Sequence, residues 1–68
     1  MIGGIIRWWH KRQRDIDLQC LWPSCCELAP DLDHAKMAFA MHAFHDHAWM
    51  EMGESNVKAF IDRLEPPT

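Results

Sequence analysis

Apolar residues recur every three or four positions through the first third of the chain, which is the spacing of one face of an α-helix. This stripe consists of Ile2, Ile6, Trp9, Ile16 and Cys20. Basic residues fall on the other side, so the pattern predicts an amphipathic helix from about residue 5 to residue 21. Gly3 and Gly4 would each cost about 1 kcal/mol inside a helix, so we expect residues 1–4 to be frayed.

Prolines divide the middle of the chain. Pro23 disfavours helical geometry at Trp22, which predicts a corner there, followed by a short helix over the letters PSCCELA. Asp31 is a good N-cap for the next helix, expected from residue 32 to about residue 45. That segment is apolar on almost every side, which is typical of a buried central helix.

Two further helices are indicated after the central one. Asp46 can cap a short helix that ends at Gly53, and Ser55 can cap a last helix that Pro66 and Pro67 bring to a stop. The sequence has no alternating strand pattern. We therefore predict an all-α fold: one small domain over residues 1–68, a bundle of three main helices plus one or two short ones around the central helix. The predicted core consists of Trp9, Ile16, Leu32, Phe39, Phe44, Trp49, Phe60, Ile61 and Leu64.

The length of the chain limits what it can do. With 68 residues, a domain buries only about 60% of the surface that its unfolded chain exposes, so the core is marginal and leaves little room for a substrate cavity. This argues against an enzyme. Three cysteines are an odd number, no signal sequence is recognisable, and no run reaches the roughly 20 apolar residues of a membrane span. We expect a reducing, cytoplasmic setting.

Charge is distributed unevenly along the chain, although the net charge is only −3. Residues 1–14 contain four basic residues and no acidic one. The candidate partner-binding residues are Arg7, Trp8, Lys11 and Arg12. Such a helix can dock on the acidic remainder of the chain or on an anionic partner, and its tryptophans also suit a lipid headgroup layer. However, the continuation of the stripe to Cys20 favours packing within a fold, and a pI near 5.9 argues against a dedicated nucleic-acid binder.

Cysteines and histidines form the candidate metal site. The best four-ligand set for zinc is Cys20 and Cys25 with His42 and His45, since residues three apart on a helix are neighbours. The sixteen residues between the two pairs exceed the usual spacing of zinc fingers. The alternative is that the cysteines are small buried hydrophobes and that the histidines form hydrogen bonds near a helix end. Nucleophilic use of Cys25 or Cys26 would need a cleft that so short a chain can hardly build.

The stretches RQRDIDLQCLWPSC, DLDHAKMAFAMHAFHDHAW and FIDRL resemble a group of small uncharacterised proteins encoded by bacteriophages and prophages. The resemblance covers nearly the whole chain. The positions that carry it are Ile16, Asp17, Leu21, Trp22, Pro23 and Cys25; Asp31, Ala35, Ala38, Phe39, His42 and Ala43; Asp46, Ala48 and Trp49; and Ile61, Asp62 and Leu64. No activity comes with the resemblance.

The resemblance favours a structural role for the cysteines and histidines, because Cys20 and His45 lie outside its pattern. It implies a structural polar contact formed by Trp22, Cys25, His42 and Asp46. The leading interpretation is a non-enzymatic, phage-type accessory protein without a cofactor that binds a host or phage protein and can form a homo-oligomer. The alternatives are a zinc-stabilised adaptor or nucleic-acid-binding module, and a peripheral membrane protein attached through its basic helix.

Overall fold

The computed structural model describes residues 2–67, and the side chains of residues 3–67. Its elements are α1 (Ile2–Ile16), the π-helical segment π1 (Asp17–Leu21), α2 (Trp22–Leu28), α3 (Leu32–Ala43), α4 (His47–Met50) and α5 (Glu54–Asp62). The chain is 78% helical, and residues 2–67 contain no strand. The predicted all-α fold is confirmed.

The first three elements form one continuous helix. Their lengths are 15, 5 and 7 residues, which amounts to about 40 Å at roughly 1.5 Å per residue. This rod accounts for the longest dimension of the molecule, 43 Å. The predicted corner at Pro23 is wrong, because Trp22 has helical dihedral angles (φ −61°, ψ −48°). The helix also extends to Ile2, through Gly3 and Gly4, so the structure does not show the fraying expected there; Met1 lies outside the described residues.

A shift in hydrogen-bond register explains how the helix passes the proline. The backbone N–H of Trp22 donates to the carbonyl of Asp17, five residues earlier, instead of four. Pro23 comes next, has no N–H to donate, and lies in the first turn of α2, where proline is tolerated. The wide π turn therefore ends just before Pro23, the residue that could not have continued an ordinary α-helical ladder.

Two of the three predicted N-caps are present. The carboxylate of Asp31 accepts the N–H of His34 at 2.9 Å, and that of Asp46 accepts the N–H of Ala48 at 2.8 Å. The predicted cap at Ser55 is wrong. Gly53 occupies the cap position of α5 with φ +93°, a conformation that suits glycine, so the helix begins one residue before Ser55.

The core is built around aromatic side chains from three helices. Phe39 of α3 is fully buried and meets Trp22 and Trp49 edge to face, with ring centroids 5.7 and 5.3 Å apart. The buried apolar residues are Trp22, Ala35, Phe39, Ala43, Ala48, Trp49, Val57 and Ile61. Phe44, Phe60 and Leu64 are half-buried at the edge of this cluster.

Three residues predicted for the core lie outside it. Trp9, Ile16 and Leu32 are 58%, 41% and 37% exposed. Trp9 and Ile16 are exposed because α1 packs mainly against α4, a helix of four residues that cannot cover its apolar stripe. Leu32 lies in the first turn of α3, at the edge of the core.

The central helix is also less enclosed than its composition predicts. Helix α3 packs against α2 and α5, and it buries Ala35, Phe39 and Ala43. Its opposite side remains open, with Met37 and Met41 62% and 71% exposed. The sequence shows that both sides of α3 are apolar, but the neighbouring helices suffice to cover only one of them.

Truncation of Phe39 tests this core. Phe39→Ala should lower the free energy of unfolding by about 3–5 kcal/mol, because it removes a fully buried ring that contacts two tryptophans. Met37→Ala, on the exposed side of the same helix, should change it by less than about 0.5 kcal/mol. Urea unfolding followed by circular dichroism measures both variants, and equal effects would contradict the assigned orientation of α3.

Candidate functional site

A buried carboxylate connects the long helix to the rest of the fold. Asp17, the first residue of π1, is only 5% exposed. Its Oδ2 accepts the indole N–H of Trp49 at 2.8 Å and lies 3.0 Å from Nε2 of His42, while Oδ1 accepts the side-chain amide of Gln13 at 3.0 Å. Burial of a carboxylate is tolerated when its oxygens are paired in this way.

A second carboxylate approaches the same nitrogen of the imidazole. Nε2 of His42 is 3.4 Å from Oδ2 of Asp46, one turn further along the chain. The ligand atoms of Asp17, His42 and Asp46 thus lie within 4.8 Å of one another, a donor set that a divalent cation can use. In the structure these atoms are engaged in hydrogen bonds and ion pairs that hold π1, α3 and α4 together. Asp17, His42, Asp46 and Trp49 are called the Asp17 cluster below.

The predicted zinc set is not assembled. Cys20 is exposed and Cys25 is half-buried, and no three of the four predicted ligands bring their donor atoms within 4.8 Å of one another among residues 2–67. The physical reason is the continuous helix, since the predicted corner would have turned the cysteines towards α3. Burial, and then the neighbouring Cys26, raise the pKa of the Cys25 thiol, which disfavours a thiolate ligand or nucleophile. His45 instead lines a shallow cavity beside Trp9 and His10.

The predicted polar contact forms only in part. His42 and Asp46 are together, as expected. Trp22 lies elsewhere, because its indole N–H donates to the carbonyl of Glu65 at 2.9 Å. Cys25 packs against the apolar core.

Sequence reasoning left Asp17 and Trp49 out of the polar contact, although a signal for them was present. All four members of the Asp17 cluster are positions of the phage-protein pattern, and Asp17 falls next to the apolar stripe of the first helix. An acidic residue beside an apolar helix stripe indicates a buried hydrogen-bond network if other side chains of the protein can donate hydrogen bonds to it.

A second feature is the exposed N-terminal part of α1. Ile5, Ile6, Trp8 and Trp9 are 58%, 47%, 56% and 58% exposed. The predicted partner-binding residues are also at the surface: Arg7, Trp8, Lys11 and Arg12. The guanidinium of Arg12 lies 6.0 Å from the ring centroid of Trp8, within the range of a cation–π contact. These seven side chains, Ile5, Ile6, Arg7, Trp8, Trp9, Lys11 and Arg12, surround the exposed N-terminal part of α1 and are together called the α1 face below.

Polar contacts from the later turns of α1 fix its position. Arg14 donates to the carbonyl of Ala48 and, at 3.1 Å, to the carboxylate of Glu51, while Nδ1 of His10 lies 3.2 Å from the same carboxylate. The hydrogen bond from Arg14, with the smaller contribution of His10, lowers the pKa of Glu51. Helix α1 is therefore held from the side of α4, and the α1 face is left open to solvent. None of the helices within residues 2–67 has the length and apolarity needed to cross a bilayer.

Asp17→Ala tests the role of the buried carboxylate. The substitution leaves the indole N–H of Trp49, a residue only 1% exposed, without its acceptor, so we expect a loss of about 2 kcal/mol or more in unfolding free energy. Asp15→Ala removes an exposed carboxylate from the same helix and should cost less than about 0.5 kcal/mol. Denaturant unfolding followed by tryptophan fluorescence measures both variants. An Asp17→Ala variant with the unfolding free energy of the parent chain would show that the Asp17 cluster does not stabilise the fold.

The contact between α1 and α4 should weaken in acid. Because the pKa of Glu51 is lowered in the folded chain, its contribution to stability is complete above the ordinary value of 4.5 and is lost as the pH falls through the lower folded value. Glu51→Gln should therefore melt at a lower temperature than the parent chain at neutral pH, and the difference should shrink as the pH is lowered below 4.5. Glu54→Gln is the control, and a difference independent of pH would contradict this assignment.

Comparison with known proteins gives no relative for this chain. No protein family, curated protein or solved structure matches it. The resemblance to small phage proteins thus stays a prediction from the residues quoted above. The geometry of the Asp17 cluster and of the α1 face is the basis for an inference about function.

Proposed function

We propose that this chain is a non-enzymatic binding protein that docks on a host or phage target through the α1 face. The observation that carries the proposal is the exposure of four large apolar side chains on one helix: Ile5, Ile6, Trp8 and Trp9. Single exposed apolar residues are ordinary on protein surfaces, whereas a contiguous group with a polar border is typical of an interaction site.

The packing of α1 supports a role in binding rather than in the core. Arg14, His10 and Asp17 already attach the helix to α3 and α4. The apolar side chains of the α1 face add little to that attachment, because each of them remains about half exposed. Their exposure reduces solubility without stabilising the fold, and a target that covers them would account for their presence.

The chemistry of the α1 face also suits binding. Tryptophan and arginine are the residues that most often dominate binding energy at interfaces, because they combine a large contact area with a polar group. The face presents Trp8 and Trp9 side by side, with ring centroids 4.9 Å apart, and Arg12 next to Trp8. The resemblance to phage-encoded proteins agrees with an accessory role of this kind.

The role of the Asp17 cluster supports the non-enzymatic part of the proposal. Asp17, His42 and Asp46 are the residue types of acid–base catalysis, but Asp17 is buried and uses both carboxylate oxygens to hold Trp49, His42 and Gln13. A group that secures three neighbours is poorly placed to exchange protons with a substrate.

Photo-crosslinking in living cells tests the location of the docking surface without assuming the class of target. The photoreactive residue p-benzoylphenylalanine replaces Trp8 or Trp9 in the full chain, and Ala59 on the exposed side of α5 serves as the control position. We expect adducts to one and the same target from positions 8 and 9 and none from position 59. The purified target should then bind Trp8→Ala at least about tenfold more weakly than the parent chain.

The proposal fails if positions 8 and 9 give no adduct to either protein or lipid, or give the same adducts as position 59. It also fails if Trp8→Ala binds the recovered target as tightly as the parent chain does. Because the replaced side chains are exposed, circular dichroism should show that each variant retains the parent fold.

A further inference from the structure

We infer that the target of the α1 face is an anionic membrane surface, on which α1 lies flat with Trp8 and Trp9 at the level of the lipid headgroups. This inference rests on the proposed function and names the partner of the same surface. Amphipathic helices that bind in this way combine an apolar side containing tryptophan with a polar side rich in lysine and arginine.

Charge complementarity is the first reason. The chain has seven Lys and Arg against ten Asp and Glu, and four of the seven basic residues lie before residue 15, where there is no acidic residue. Glu51 neutralises Arg14, which leaves Arg7, Lys11 and Arg12 on the surface of α1. The remainder of the chain carries three basic and ten acidic residues. Of these acidic residues only Asp15, next to Lys11 and Arg12, belongs to α1, so an anionic surface attracts α1 and repels the body.

Geometry is the second reason. The contacts that hold α1 come from α4 and from the Asp17 cluster, and the α1 face is open. The continuous helix makes the molecule elongated, at 43 × 22 × 17 Å, so α1 can lie along a surface while the body stays clear of it.

The same charges disfavour pairing of two α1 faces. Two such helices would bring Arg7, Lys11 and Arg12 of each copy close to those of the other, and like charges within a Debye length of about 8–10 Å repel. Anionic headgroups instead offer opposite charge to all three side chains. Polybasic segments gain roughly fivefold in affinity for each lysine or arginine near such a surface.

Vesicle binding by the purified full chain tests the inference. Sucrose-loaded vesicles of phosphatidylcholine, with and without phosphatidylglycerol, are sedimented with the protein. Binding should require phosphatidylglycerol, weaken as salt is raised, and shift tryptophan emission to shorter wavelength. Arg7→Gln/Lys11→Gln should weaken it about twenty-fold, from two basic residues at roughly fivefold each, whereas Lys58→Gln/Arg63→Gln, exposed basic residues on and after α5, should leave it within about twofold.

A second pair of variants separates the α1 face from exposed apolar residues in general. Trp8→Ala/Trp9→Ala should weaken binding by at least about tenfold. Met37→Ala/Met41→Ala, which removes two exposed apolar side chains from α3, should not weaken it. Circular dichroism should show the parent helix content for all four double variants.

The inference is overturned if the chain fails to bind anionic vesicles, or if the α3 and α5 controls lose binding as strongly as the α1 variants. A protein adduct from positions 8 and 9 without vesicle binding would exclude a membrane as the target and would leave the proposed function intact. A concentration-dependent oligomer that Trp8→Ala/Trp9→Ala dissociates, without vesicle binding, would assign the α1 face to a second copy of the chain.

Discussion

The buried carboxylate of Asp17 is the interaction on which the arrangement of the helices depends. It accepts the indole N–H of Trp49, pairs with His42 and receives the amide of Gln13, so one side chain joins π1 to α3 and α4. Trp49 in turn packs edge to face on Phe39, the centre of the core. An unpaired carboxylate at this depth would cost several kcal/mol. The pairing fixes the rotation of the long helix about its axis, because only one rotation places Asp17 between its partners.

The π turn gives Asp17 this position. Its wide register lets the helix continue through Pro23, so α1 and α2 are parts of one rod although they pack on different neighbours: α1 on α4, and α2 on α3. The contacts of His10, Arg14 and Asp17 with the body all come from the later turns of α1 and from π1. Residues 3–9, the described side chains before His10, have no such contacts and remain exposed.

The sequence was sufficient for those parts of the structure that depend on local chemistry. Helical periodicity, the caps at Asp31 and Asp46 and the buried positions of Phe39 and Trp49 were all accessible from it. The sequence was insufficient to predict burial where burial depends on which other helix packs on a given face. The stripe containing Trp9 and Ile16 was assigned to the core because periodicity shows that a face exists and cannot show whether a partner lies on it. The buried state of Asp17 was missed for a related reason, since acidic residues are buried only when specific distant groups pair with them.

The sequence separation of the contacts around α1 determines when this helix becomes stable during synthesis. Asp17 pairs with residues 25 and 32 positions later, and Arg14 pairs with a residue 37 positions later. A helix of 15 residues is marginal in water by itself, so α1 has no lasting support while the ribosome is still adding α3 and α4. In that interval its tryptophans and isoleucines are open to any apolar surface in the cell. Capture at that stage would precede folding of the body, so the chain could reach its target as a nascent polypeptide.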